Sequence, residues 1–144
     1  MASFEVTTFI NRSPQDVFDF MTDPATSSQW QSGTKSAQWV SEGPIGVGSI
    51  FQSVSEFIGR EMTVDAEITH WDPPNTWGLK ASAGPMRFEG VMTFQPQQGG
   101  TLVVQNFTGE VGGLFNMAEG LAVKQLQKQV ETDGQKLKML LEEM

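Results

Sequence analysis

The chain contains no cysteine, which excludes disulfides, thiolate nucleophiles and cysteine-ligated metals. Its single histidine, His70, is too little for a histidine-built zinc site, and neither a metal nor a cofactor is expected. No run of about 18 apolar residues occurs, so no ordinary membrane-spanning helix is expected. Met1 to Glu5 lacks the basic segment and apolar run of a signal peptide, and a cytoplasmic location is the expectation. Positive charge is scarce as well: 9 Lys and Arg stand against 17 Asp and Glu, for a net charge of −8. Such a balance repels phosphate backbones and anionic bilayers, so nucleic acid is not an expected partner. Lys124, Lys128, Lys136 and Lys138 gather late in the chain. Glu131, Asp133, Glu142 and Glu143 dilute them, and a solvated helix face is the reading. The sequence singles out no protein partner.

What is present fits one domain over residues 1–144. Phe4, Val6, Thr8 and Ile10 alternate with Glu5, Thr7 and Phe9, the period of a strand. Ser13-Pro14-Gln15-Asp16 then starts a short helix: a hydroxyl cap, proline in the first turn, and a carboxylate at the positive end. Asp23-Pro24 breaks it before a second short helical piece carrying Trp30.

From Lys35 to Phe107 the pattern is β. Short runs at Ala37–Val40 and Ser49–Phe57 flank the turn Glu42-Gly43-Pro44. Met62, Val64, Ala66 and Ile68 alternate with Glu61, Thr63, Asp65 and Glu67, one face dry and one wet. Further strands run from Trp77 to Ala83, Phe88 to Phe94, and Thr101 to about Gly109. The glycines of Gly43-Pro44-Ile45-Gly46-Val47-Gly48 enter a strand rather than a helix, so they form a turn and no phosphate cradle. The remainder, from about Gly113 to Met144, reads as one amphipathic helix of about 45 Å.

The order of strand, two short helices, six strands and long helix is a helix-grip arrangement. With it, the segments Ile10-Asn11-Arg12-Ser13-Pro14-Gln15-Asp16-Val17-Phe18, Asp23 to Trp30, Gly46-Val47-Gly48-Ser49 and Ile68-Thr69-His70-Trp71-Asp72-Pro73-Pro74 resemble the START-like superfamily. Phe94-Gln95-Pro96, Gly100-Thr101, Leu137-Lys138 and Leu141-Glu142 complete the pattern. This superfamily is also called SRPBCC or Bet v 1-like, and the resemblance is to its polyketide cyclase/dehydrase-like branch. It implies an α+β fold: a curved seven-stranded antiparallel sheet, two short helices, and a long C-terminal helix enclosing a cavity. It implies no particular reaction.

Parity along the strands gives the expected cavity wall: Phe51; Met62, Val64 and Ile68; Trp77 and Leu79; Phe88 and Met92; Phe107. The long helix adds Leu126 and Val130. Gln105 shares the parity of Val103 and Phe107, so its amide is a buried polar group that needs a partner. A lipid- or polyketide-like, hydrophobic or amphipathic molecule is the expected occupant.

Three further positions carry expectations. His70 shares the parity of Ile68 and is read in two ways, as a general base for a cyclase or dehydratase or as a histidine at the cavity rim. Glu56 and Glu110, near strand ends, are candidate guards of an entrance. Gly134 interrupts the helical stripe Leu126, Val130, Leu137, Leu141, where glycine costs about 1 kcal/mol relative to alanine. Its missing side chain is expected to leave room above Met92 or Phe107, so that leucine there would stabilise the protein.

Overall fold

The computed structural model describes residues 2–57, 60–83, 86–111 and 119–144. Among them seven strands form one antiparallel sheet: β1 (Ala2–Ile10), β2 (Thr34–Trp39), β3 (Ile50–Phe57), β4 (Arg60–Asp72), β5 (Thr76–Ala83), β6 (Met86–Gln97) and β7 (Gly100–Val111). Their order is β1-β7-β6-β5-β4-β3-β2. Helix α1 (Pro14–Thr22), a 3-10 turn (Pro24–Thr26) and α2 (Ser27–Trp30) carry the chain from one sheet edge to the other. The long helix, α3 (Glu119–Glu142), packs chiefly on β1 and β7. The expected helical start at Gly113 lies outside the described residues.

The turn chemistry follows from sequence. Ser13 caps α1, its hydroxyl accepting from Asp16 N–H at 3.2 Å, with Pro14 in the first turn. Asp23 does the same for the 3-10 turn through Ala25 N–H at 2.9 Å. Gly43 and Gly48 adopt φ of +82° and +93°, a region open to glycine at no steric cost.

The interior has two ends. At one, α1 and the last turns of α3 close on the sheet. Ile10, Val17, Phe18, Ile68, Val103, Leu137 and Leu141 are all at most 2% exposed there. Each such aliphatic or aromatic side chain contributes about 1.5–3 kcal/mol by leaving water. Met144, at the far end of the expected helix, is 71% exposed.

The last turn of α3 is fixed by groups from the start of the chain. Arg12 Nη1 donates to the carbonyls of Leu141 and Met144 at 2.9 and 3.0 Å, satisfying helix-end acceptors. Its Nη2 holds Asp16 at 3.0 Å. Glu142 accepts from Asn11 N–H at 2.9 Å and from Lys138 at 2.8 Å. The Lys138 ammonium and the Asn11 N–H hold the Glu142 carboxyl below its ordinary range. Lys138 also donates to Phe9 C=O at 2.7 Å, so it is an anchor rather than part of a solvated face.

Two expectations from strand and helix periodicity fail, each for a physical reason. In β4 the pairing shifts between Ile68 and His70, where Ile68 faces Leu79 but His70 faces Gly78. Thr69 is the extra residue of a β-bulge, and one extra residue reverses the parity beyond it. His70 therefore turns outward and is exposed. Trp71 turns inward instead, with its ring 5.2 Å from Phe18 and 6.0 Å from Trp39. Gly78 makes the room: a Cβ there would lie 2.7 Å from His70 Nδ1 and 3.0 Å from Thr69 Oγ1.

Gly134 is the second. A Cβ at this position would meet Thr8 Oγ1 at 2.9 Å, and Thr8 is only 5% exposed. The glycine lets α3 settle onto β1; it does not clear space over Met92 or Phe107. Leucine at this position removes a glycine penalty of about 1 kcal/mol but overpacks the helix–strand contact, typically at about 1–3 kcal/mol. Gly134→Leu is expected to lower the denaturant midpoint without changing the m-value, measured by urea unfolding. A raised midpoint would show free space at this contact.

Candidate functional site

At the other end the interior is hollow. A cavity of about 190 Å³ lies between the sheet and the first described turns of α3. Its sheet wall comprises Phe51 and Ser53 on β3, Val64 and Ala66 on β4, Trp77, Leu79 and Ala81 on β5, Phe88 and Met92 on β6, and Gln105 and Phe107 on β7. Trp30 and Trp39 close one side, and Leu126, Val130, Gln129 and Asp133 of α3 form the roof.

Strand alternation accounts for most of this wall. Register pairs Phe51 with Ala66, Leu79 with Gly90, Trp77 with Met92, and Met92 with Gln105. Gly90 is itself required, because the Phe107 ring lies over it where a Cβ would stand. Ten of the expected positions line the cavity: Phe51, Val64, Trp77, Leu79, Phe88, Met92, Gln105, Phe107, Leu126 and Val130. Ile68 does not, being part of the packed end at 0% exposure. Met62 is half-buried on β4 outside the cavity lining, and Gly134 touches Thr8 as described.

His70 is also absent from the lining. Its Nδ1 lies 2.9 Å from Thr69 Oγ1, on the outer face of the sheet. Nor do the proposed gate residues stand at an entrance to this cavity. Glu56 is exposed and lies 3.5 Å from Lys35, while Glu110 belongs to a separate hollow on the outer face. That outer hollow is the larger, about 670 Å³. Its walls carry Asp65, Glu67, Lys80, Arg87 and Glu89, with Lys80 3.3 Å from Glu67. The smaller cavity has the more apolar lining and is the better ligand site.

Sequence periodicity missed one residue of consequence. Asp133 lines the cavity yet is only 7% exposed. Its Oδ1 accepts from both the backbone N–H and the hydroxyl of Ser32, at 3.0 and 2.6 Å. Gln129 donates to Ser32 C=O at 2.9 Å, tying the same turn to α3. Burial pushes the Asp133 carboxyl up; the Ser32 hydrogen bonds and the Lys136 charge only partly oppose this.

The polar inventory of the cavity is otherwise neutral. Gln105 is 4% exposed. Three buried side-chain atoms lack partners among the described residues: Ser27 Oγ and the indole nitrogens of Trp30 and Trp77. Both tryptophans line the cavity.

The comparisons place this architecture. A family model described as "Polyketide cyclase / dehydrase and lipid transport" matches residues 1–142. An uncharacterised protein of Mycobacterium tuberculosis strain H37Rv is 28% identical over 136 residues, covering 91% of this chain and 92% of its own. Among solved structures, Ara h 8.0201 superposes with a TM-score of 0.74 at 16% identity, over 97% of each chain. The di-domain ARO/CYC StfQ from the steffimycin biosynthetic pathway gives 0.80 at 14% identity, over 98% of this chain and 50% of that one. At these identities the superpositions establish the fold alone. No helix among the described residues is long and apolar enough to cross a membrane.

The raised Asp133 carboxyl has a sign that can be checked. In the unfolded chain it ionises from about pH 3.8 upward. The folded chain holds its proton to higher pH, so stability falls as pH rises through that window, and the penalty is complete above the folded value. Asn at this position keeps an oxygen for Ser32 and removes the charge. Asp133→Asn is expected to raise the thermal midpoint at neutral pH, with the gap closing on acidification to about pH 4. Differential scanning calorimetry across pH reads this; a midpoint below wild type at neutral pH would show that the charged Ser32 contacts outweigh burial.

Proposed function

We infer, from the chain's belonging to the polyketide cyclase/dehydrase and lipid transport family and from its apolar cavity, that it binds a compact, largely apolar small molecule between the sheet and α3. The observation that carries this is the cavity wall itself, which is mostly aromatic and aliphatic, with Thr22, Gln31, Thr34, Ser53, Gln105, Gln129 and Asp133 as its polar side chains. A volume of about 190 Å³ exceeds the roughly 150 Å³ that holds benzene in an engineered core. It falls short of the roughly 300–1,000 Å³ typical of drug-sized ligands. A molecule of one or two rings fits; a longer lipid or polyketide needs the roof to lift.

A cyclase or dehydratase that uses His70 as general base is not supported. A base must lie within roughly 2.6–3.2 Å of the proton it takes, and His70 stands on the far side of the sheet from the cavity.

Two variants test the binding reading against a panel of one- and two-ring aromatics. Wild-type protein at 100 times the dissociation constant of a hit should gain about 2.7 kcal/mol. Ala66→Leu should fill the cavity, preserve the unfolding midpoint and abolish that gain. His70→Ala should leave the gain intact. If Ala66→Leu instead destabilises by about 1–3 kcal/mol, the interior is already full and the binding reading fails.

A further inference from the structure

Among the described residues Asp133 is the only ionisable residue in the cavity lining, and the Lys136 charge, outside that lining, only partly offsets its burial. Both bonds from Ser32 fall on Oδ1. Its second oxygen has no hydrogen-bond partner among the described residues. A half-satisfied carboxylate at 7% exposure is an unfavourable feature unless something neutralises it.

The surroundings are those that favour a cation. Six aromatic residues share the lining: Trp30, Trp39, Trp77, Phe51, Phe88 and Phe107. Aromatic faces attract ammonium groups, the more so where water is excluded. Gln105 and Gln129 add amide carbonyls; the Gln129 nitrogen is already committed to Ser32 C=O. An ammonium carries three donors and no acceptor, which matches a carboxylate in the cavity lining. A carboxylate ligand would bring like charge to Asp133 and find no cation to receive it.

We propose that the cavity selects an amphipathic amine, its protonated nitrogen paired with the Asp133 carboxylate and its apolar body packed on the aromatic wall. The inference rests on the cavity being the ligand site, and it narrows the occupant to a basic molecule, against fatty acids and other carboxylates. Burial pushes the Asp133 carboxyl up, and a cation paired with it opposes that shift.

Three probes of one shape isolate the head group: 2-phenylethylamine, 3-phenylpropionate and propylbenzene. Affinities are measured by titration calorimetry or ligand-observed NMR at fixed ionic strength. The amine should bind at least tenfold more tightly than 3-phenylpropionate. Because a chain of net charge −8 attracts any cation weakly, Asp133→Asn supplies the control. It should weaken the amine at least tenfold and leave propylbenzene within twofold. Equal binding of amine and carboxylate, or an amine affinity indifferent to Asp133→Asn, overturns the amine assignment while propylbenzene binding keeps the cavity reading. Failure of all three probes to bind overturns the cavity reading and this inference with it.

Discussion

The long helix covers the sheet only because its far end is held by the opposite end of the chain. Arg12 meets Leu141 C=O in the last turn and Met144 C=O just beyond it, Asn11 N–H and Lys138 share Glu142, and Thr101 Oγ1 fixes Arg12 C=O at 2.7 Å. These are charge-assisted contacts at a helix C-terminus, where cations are favoured. They set the depth at which Leu137 and Leu141 enter the core. Everything nearer the start of α3 inherits its position from that anchor: Gly134 against Thr8, then Asp133 against Ser32, then the roof of the cavity.

The sequence carried the architecture well. Short β runs and period-two alternation located β3 and β5 to β7, and from them most of the cavity wall, including the inward amide of Gln105. These strands keep regular register, so parity counted along the chain equals parity in space. Beyond Ile68 that equality ends. A bulge is one residue long and leaves no trace in hydrophobic periodicity, because Thr69, His70 and Trp71 are compatible with either face. The signal lay in the neighbouring strand. Gly78 interrupts a β pattern, and glycine inside a strand marks a bulge or a close backbone approach.

The roof was less legible. Helical spacing identified Leu126, Val130, Leu137 and Leu141 but read Gly134 as a gap, when it marks the closest approach of helix and strand. Asp133 was counted among the solvated charges, since a carboxylate beside lysines ordinarily faces water. What buries it is Ser32, which lies 101 residues away in sequence. No local pattern announces a contact of that range.

The two ends of the interior differ in how well local chemistry agrees with the fold. Around Leu137, Leu141 and Ile68 the side chains are apolar and packed. The hollow end gathers the disagreements among the described residues: two indole N–H groups without partners, and a carboxylate only 7% exposed. Scattered over the molecule, these would be ordinary imperfections. Gathered around one cavity, they mark it as the polar exception in the interior. A sequence consistent with its fold departs from local rules mainly where function requires it. The packed end and the Arg12 anchor offset what the hollow end costs, so a cavity with an unsatisfied interior can persist in a folded protein.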